Sequence, residues 1–167
     1  MAFHDLRVAY RQGELSERAA GANPIELFLS WIGTARGSGA ILEPNAMTLA
    51  TIGADGSPSA RMVLLKEVEE SGAFVFYTNR DSRKGRELAA DPRAALVFWW
   101  EPLERQVRVE GVVERTTDAE TAAYFATRPR ESRMDPSASI RLSAWLTVGR
   151  AAPAMSATSC WVSGSTV

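Results

Sequence analysis

The spacing of apolar and polar positions changes near residue 45. Before it, Ile25, Phe28, Leu29 and Ile32 recur at helical spacing and form one apolar face. Asn23-Pro24 precedes them as an N-cap followed by proline at the first helical position, and Gly37 is a stop signal. The pattern predicts a helix over about 24–36. Residues 1–22 are polar, and the spacing of Leu6 and Tyr10 allows a short helix there.

After residue 45 the chain reads as strands. Runs at 46–52, 59–68 and 73–78 are separated by Ala54-Asp55-Gly56-Ser57 and Glu70-Ser71-Gly72. Such short turns favour antiparallel neighbours over helical crossovers. Ser82 can cap a helix over 83–90, which Asp91-Pro92 ends. Residues 94–100 make a buried-looking strand. Over 104–115, Val107, Val109 and Gly111 alternate with Gln106, Arg108 and Glu110. Thr117-x-x-Glu120 is a capping-box pattern that opens a helix over about 117–127. The predicted fold is mainly β with flanking helices, an antiparallel barrel of about five strands. Past Arg133, Ser, Ala and Thr dominate, and the pattern assigns no element to 133–167, which reads as a disordered or loosely packed tail.

Composition narrows the function classes. A chain of 167 residues with 46% hydrophobic and 23% charged residues is ordinary for one globular domain. A net charge of −1 gives no global field for nucleic acid or a membrane surface. No apolar run approaches the roughly 20 residues of a membrane helix, and the first residues lack a secretory pattern. A cytoplasmic location is therefore expected. His4 is the single histidine and Cys160 the single cysteine, too few for a His/Cys metal site or a disulfide.

Two basic clusters remain as candidate chemistry. Arg61 and Lys66 bracket an apolar run and are five apart, so alternation puts them on opposite faces. After Tyr77-Thr78-Asn79 comes Ser82-Arg83-Lys84, where a helix should begin. Backbone N–H groups, a cap hydroxyl and two cations there suit a phosphate; the alternative is a pair of solvated helix charges. Farther on, Tyr124 and Arg128 share a helix face near Arg130 and Ser132. This cluster suits a phosphomonoester, or is a basic helix end complementing its own dipole.

Taken together, Arg-Met-Val-Leu-Leu-Lys (61–66), Phe-Tyr-Thr-Asn (76–79), Ser-Arg-Lys (82–84), Leu-Glu-Arg-Gln-Val (103–107) and Tyr-Phe-x-x-Arg-Pro-Arg-x-Ser (124–132) resemble, in order and spacing, the signatures of the pyridoxamine 5'-phosphate oxidase family. Asn45-Ala46-Met47 and Asp91-Pro92-Arg93 fit as well. The resemblance runs from about Leu6 to Ser132. It implies an FMN-binding split barrel and a homodimer with FMN at the subunit interface. Carried over by motif, Arg61, Lys66, Tyr77, Thr78, Arg83, Lys84 and Gln106 would contact FMN. Lys66, Tyr124, Arg128 and Ser132 would hold the substrate phosphate, with Arg7 and Tyr10 in a segment that closes over it. The implied reaction oxidises pyridoxamine 5'-phosphate or pyridoxine 5'-phosphate to pyridoxal 5'-phosphate, with oxygen as acceptor.

The resemblance divides the chain into an N-terminal lid segment (1–22), a split-barrel domain (23–132) and a tail that does not match (133–167). The family's Gln-Ser pair after the Arg-Pro-Arg-x-Ser motif, its Arg-Leu-His motif and a later FMN-binding arginine are not recognisable, so no catalytic residue is assigned. The barrel is accordingly expected to be incomplete at its C-terminal end and the oxidase activity impaired. Two alternatives stay open: a non-catalytic FMN- or pyridoxal-phosphate-binding remnant, and another split-barrel flavoprotein such as a flavin reductase.

Overall fold

The computed structural model describes residues 15–116 and the backbone of 139–150. The element order is α1 (Glu17–Ala20), α2 (Pro24–Gly37), β1 (Ala46–Ile52), β2 (Pro58–Val68), β3 (Phe74–Tyr77), α3 (Arg83–Ala90), β4 (Arg93–Trp100), β5 (Arg105–Arg115) and β6 (Ser139–Arg150). The strands close an antiparallel barrel in the order β1-β2-β3-β6-β5-β4. The expected helices near Leu6–Tyr10 and over 117–127 lie outside the described residues.

Local chemistry accounts for the boundaries. The Asn23 side chain accepts from the Ile25 and Glu26 amides at 3.0 and 3.4 Å, and Pro24 follows at the first helical position. Between β1 and β2, Gly56 adopts φ +79°, and Asp55 Oδ1 accepts from the Ser57 amide and hydroxyl at 3.0 and 2.6 Å. Gly72, at φ +85°, makes the β2–β3 turn. These are left-handed positions that glycine occupies without a Cβ penalty. A 3-10 turn, Glu101–Leu103, joins β4 to β5.

The barrel interior differs at its two ends. Met47 and Leu49 of β1, Phe74 and Phe76 of β3, Leu96, Phe98 and Trp100 of β4, and Val107 and Val109 of β5 are fully or almost fully buried. At the end where β1 and β5 begin, α2 inserts Phe28. Its ring lies 4.9 Å from that of Phe74, edge-on, and 5.1 Å from that of Phe98. Trp100 Nε1 donates to the Pro44 carbonyl at 2.8 Å, and the Arg105 guanidinium lies 4.8 Å from the Trp31 ring. At the opposite end the inward positions turn polar: Thr51, Ser59 and Arg61 are brought together by the pairing of Thr51 with Ser59 and Leu49 with Arg61. There α3 covers the opening.

Two expectations change. The buried face of α2 is Phe28, Trp31 and Ala35, whereas Leu29 is 48% exposed. The four-residue apolar pattern named the right helix but the wrong centre, because the aromatic contacts of Phe28 with β3 and β4 set its rotation. Leu29 and Ile32 instead line a groove of about 440 Å³ against β2. Second, the segment given no element contains β6, which pairs with β3 from Phe74↔Leu142 to Tyr77↔Ser139 and with β5 from Arg105↔Arg150 to Arg115↔Ile140. Among the described residues the strand ring therefore closes through β6. The signal is a period of two in Ile140, Leu142, Ala144, Leu146 and Val148, which the Ser- and Ala-rich composition obscured.

Burial separates adjacent positions on α2. Phe28→Ala should lower unfolding free energy by about 3–5 kcal/mol, the range for a buried aromatic. Leu29→Ala should lower it by less than about 1 kcal/mol. Urea titration of both variants checks this, and comparable losses would place the helix face wrongly.

Candidate functional site

The polar end of the barrel is assembled around the start of α3. Ser82 caps this helix: its hydroxyl accepts from the Gly85 amide at 3.2 Å and donates to the Asn79 carbonyl. Asn79 Oδ1 accepts from the Asp81 amide at 2.8 Å. The loop presses so closely on the helix that a Cβ at Gly85 would sit 2.4 Å from the Arg80 carbonyl oxygen and 2.6 Å from that of Asn79. Only glycine fits. The first turn contains no acidic residue and carries Arg83 and Lys84 instead. Cations at a helix N-terminus oppose the helix dipole, so this arrangement favours an anion at that point.

Glu87, one turn farther along α3, holds the cluster together. It is only 6% exposed. Its Oε1 accepts from Arg83 Nε at 2.7 Å, and its Oε2 accepts from Thr51 Oγ1 at 2.6 Å and Arg61 Nη2 at 2.7 Å. The Thr51 hydroxyl, then the two guanidinium groups, hold its carboxyl down to about 2 against the tendency of burial to raise it. Arg61 is engaged further: Nη2 donates to Ser59 Oγ at 2.7 Å, and Nη1 donates to Thr51 Oγ1 and to the Leu49 carbonyl. Lys84 is partly buried, and desolvation followed by the nearby Arg61 charge lowers its pKa.

Of the residues singled out from sequence, Arg61, Arg83 and Lys84 therefore meet at one end of the barrel. Thr78, which leaves β3 toward the same loop, is buried, and its hydroxyl has no hydrogen-bond partner among the described residues. Tyr77 ends β3. Lys66 and Gln106 are exposed on the outside of the barrel toward the α2 end. Five residues of strand put Lys66 about 16 Å from Arg61 along β2, at a register shift between Leu65 and Glu67. Arg7, Tyr10, Tyr124, Arg128 and Ser132 lie outside the described residues. Glu87 was missed by the sequence reading, although its i, i+4 spacing to Arg83 was a usable signal. Among the described residues no cluster of potential metal ligands occurs, and no helix is long and apolar enough to cross a membrane.

The depressed Glu87 pKa predicts acid sensitivity. Its stabilising contribution is complete above its ordinary value of 4.5 and is lost as pH falls toward about 2. Asp91, held down to about 2 by Arg93, adds to the same window. Glu87→Gln should flatten the fall in urea midpoint between pH 5 and 2.5 relative to wild type. An unchanged slope would mean that Glu87 is not held as described.

Residues 38–157 match the pyridoxamine 5'-phosphate oxidase family, reaching past β5 through β6. A pyridoxine/pyridoxamine 5'-phosphate oxidase from Thermosynechococcus vestitus is 60% identical over 129 residues, covering 77% of this chain and 60% of the relative. One from Bordetella pertussis is 52% identical, covering 80% and 63%. The chain thus spans about 60% of the length of the curated relatives it matches. Among solved structures, PhzG from Burkholderia lata, in complex with tetrahydrophenazine-1-carboxylic acid, superposes with a TM-score of 0.68 at 21% identity, covering 78% of this chain and 82% of that one. An FMN-binding protein from Nostoc punctiforme related to pyridoxamine 5'-phosphate oxidase gives 0.57 at 16% identity, covering 75% and 83%. The sheet order is that of a split barrel, and the chain belongs to the pyridoxamine 5'-phosphate oxidase family.

Proposed function

We propose that this chain binds FMN and serves the oxidation of pyridoxamine 5'-phosphate or pyridoxine 5'-phosphate to pyridoxal 5'-phosphate, with oxygen as the final acceptor. The observation that carries the reading is the cluster of Arg61, Arg83 and Lys84 beside the capped N-terminus of α3. Its donors fit a phosphomonoester, and the buried Thr78 hydroxyl, five residues before Arg83, has no hydrogen-bond partner among the described residues. Charge-assisted hydrogen bonds to such a dianion are roughly twice as strong as neutral ones.

Bound FMN supplies the acceptor for a hydride from the substrate's C4' carbon. The protein's part is to bind and orient. Ser82, Arg83 and Lys84 would hold the flavin phosphate, with Arg61 supplying charge behind them. Lys66 would hold the substrate phosphate together with Tyr124, Arg128 and Ser132, and Gln106 would contact the flavin ring. Arg7 and Tyr10 would close over the substrate and exclude water.

A homodimer is part of the same reading. Thr48 pairs with Met62 on one side and Val97 on the other. The belt continues through Ala46, Ala50, Ala60 and Ala95, with Leu64 and the 44% exposed Trp99 on the same side, so the outer face of β2-β1-β4 is apolar. Met62 on it is 63% exposed. Such a face fits a second copy of the sheet, and Lys66 and Gln106 flank it.

Purified protein should show a flavin spectrum, form pyridoxal 5'-phosphate from pyridoxamine 5'-phosphate with release of peroxide, and sediment as a dimer. Replacing both Arg83 and Lys84 with Ala should weaken FMN binding by about a hundredfold or more, given two lost charged contacts. Riboflavin binding should change far less, because riboflavin has no phosphate. Equal losses for both ligands would refute the phosphate assignment; flavin binding without product formation would refute the oxidase assignment.

A further inference from the structure

We infer that Glu87 is a positioning residue for the flavin phosphate, acting through Arg83; this rests on the FMN reading above. Glu87 ties Arg83 by Nε alone. The two Nη groups of Arg83 have no acceptor among the described residues, and the side chain is 68% exposed. A guanidinium held at Nε presents its two terminal nitrogens as a fork, the geometry that matches two phosphate oxygens.

Arg61 stands in contrast. Its Nη groups donate to Leu49, Thr51, Ser59 and Glu87, and its side chain is 21% exposed. Arg61 therefore anchors Glu87 from the barrel wall, while Arg83 is the arm that reaches outward. Both carboxylate oxygens of Glu87 already accept hydrogen bonds, and the residue lies one turn behind the helix N-terminus. Its charge is thus screened from an anion bound there. Arg61, Arg83 and Lys84 outnumber Glu87 and Asp55, whose carboxylate lies in the field of Arg83, so the cluster keeps a net positive charge for an anionic phosphomonoester.

The test is a double-mutant cycle read as the preference for FMN over riboflavin, each measured by quenching of flavin fluorescence. This ratio counts only folded, binding-competent protein. Glu87→Gln should reduce the preference about tenfold, the scale of one charge-assisted contact. In an Arg83→Ala background the same change should alter it by less than about twofold, because the residue it acts through is gone. If Glu87→Gln does not fold, Glu87→Asp retains the charge but draws the carboxylate back by one methylene and should also lower the preference. An unchanged preference in the single variant, or an equal loss in the Arg83→Ala background, would overturn the inference while leaving the FMN reading intact. A wild-type protein with no preference for FMN would overturn both.

Discussion

The buried carboxylate of Glu87 is the constraint on which the site depends. It joins a helix to two strands that lie 26 to 36 residues away in sequence. A buried charge is costly unless its hydrogen-bonding capacity is filled. Here a hydroxyl and two guanidinium groups fill it, so the position of α3 follows from the positions of Thr51 and Arg61. With α3 located in this way, the loop before it, the Ser82 cap and the close approach at Gly85 all fall into one arrangement. The interaction is better understood as fixing geometry than as adding stability, since buried ion pairs often contribute little net free energy.

The barrel separates stability from chemistry along its axis. Aromatic packing of α2 on Phe74, Phe98 and Trp100 fills one end. Dispersion and hydrophobic burial there are non-directional and tolerate any anion at the other end. The polar end is directional, and the buried Thr78 hydroxyl there has no hydrogen-bond partner among the described residues. An unpaired buried hydroxyl is expensive in a finished core, but reasonable beside a ligand that supplies its partner.

The strand and helix boundaries between 46 and 115 were legible because local chemistry sets them. Asp-Gly and Ser-Gly turns, the Asn23 and Ser82 caps and the breaks at Asp91-Pro92 act within a few residues. Strand β6 was not read, although its alternation was present, because polar and small residues diluted the contrast and its pairing partners are distant. The centre of the α2 face was missed for a related reason: periodicity identifies a face, but the ring contacts that rotate it come from other elements.

The candidate site shows the same division. The sequence by itself determined which residues could bind an anion, since Arg83 and Lys84 follow a capping serine and Arg61 and Lys66 bracket the apolar run of one strand. These are consequences of helix capping and of the apolar pattern of a strand, both local. Only the tertiary structure decided that Arg61 lies behind Arg83 rather than beside it, that Glu87 joins them, and that Lys66 and Gln106 belong to the outer face at the other end. Those relations depend on strand register and helix docking, which are set by contacts between residues far apart in the chain.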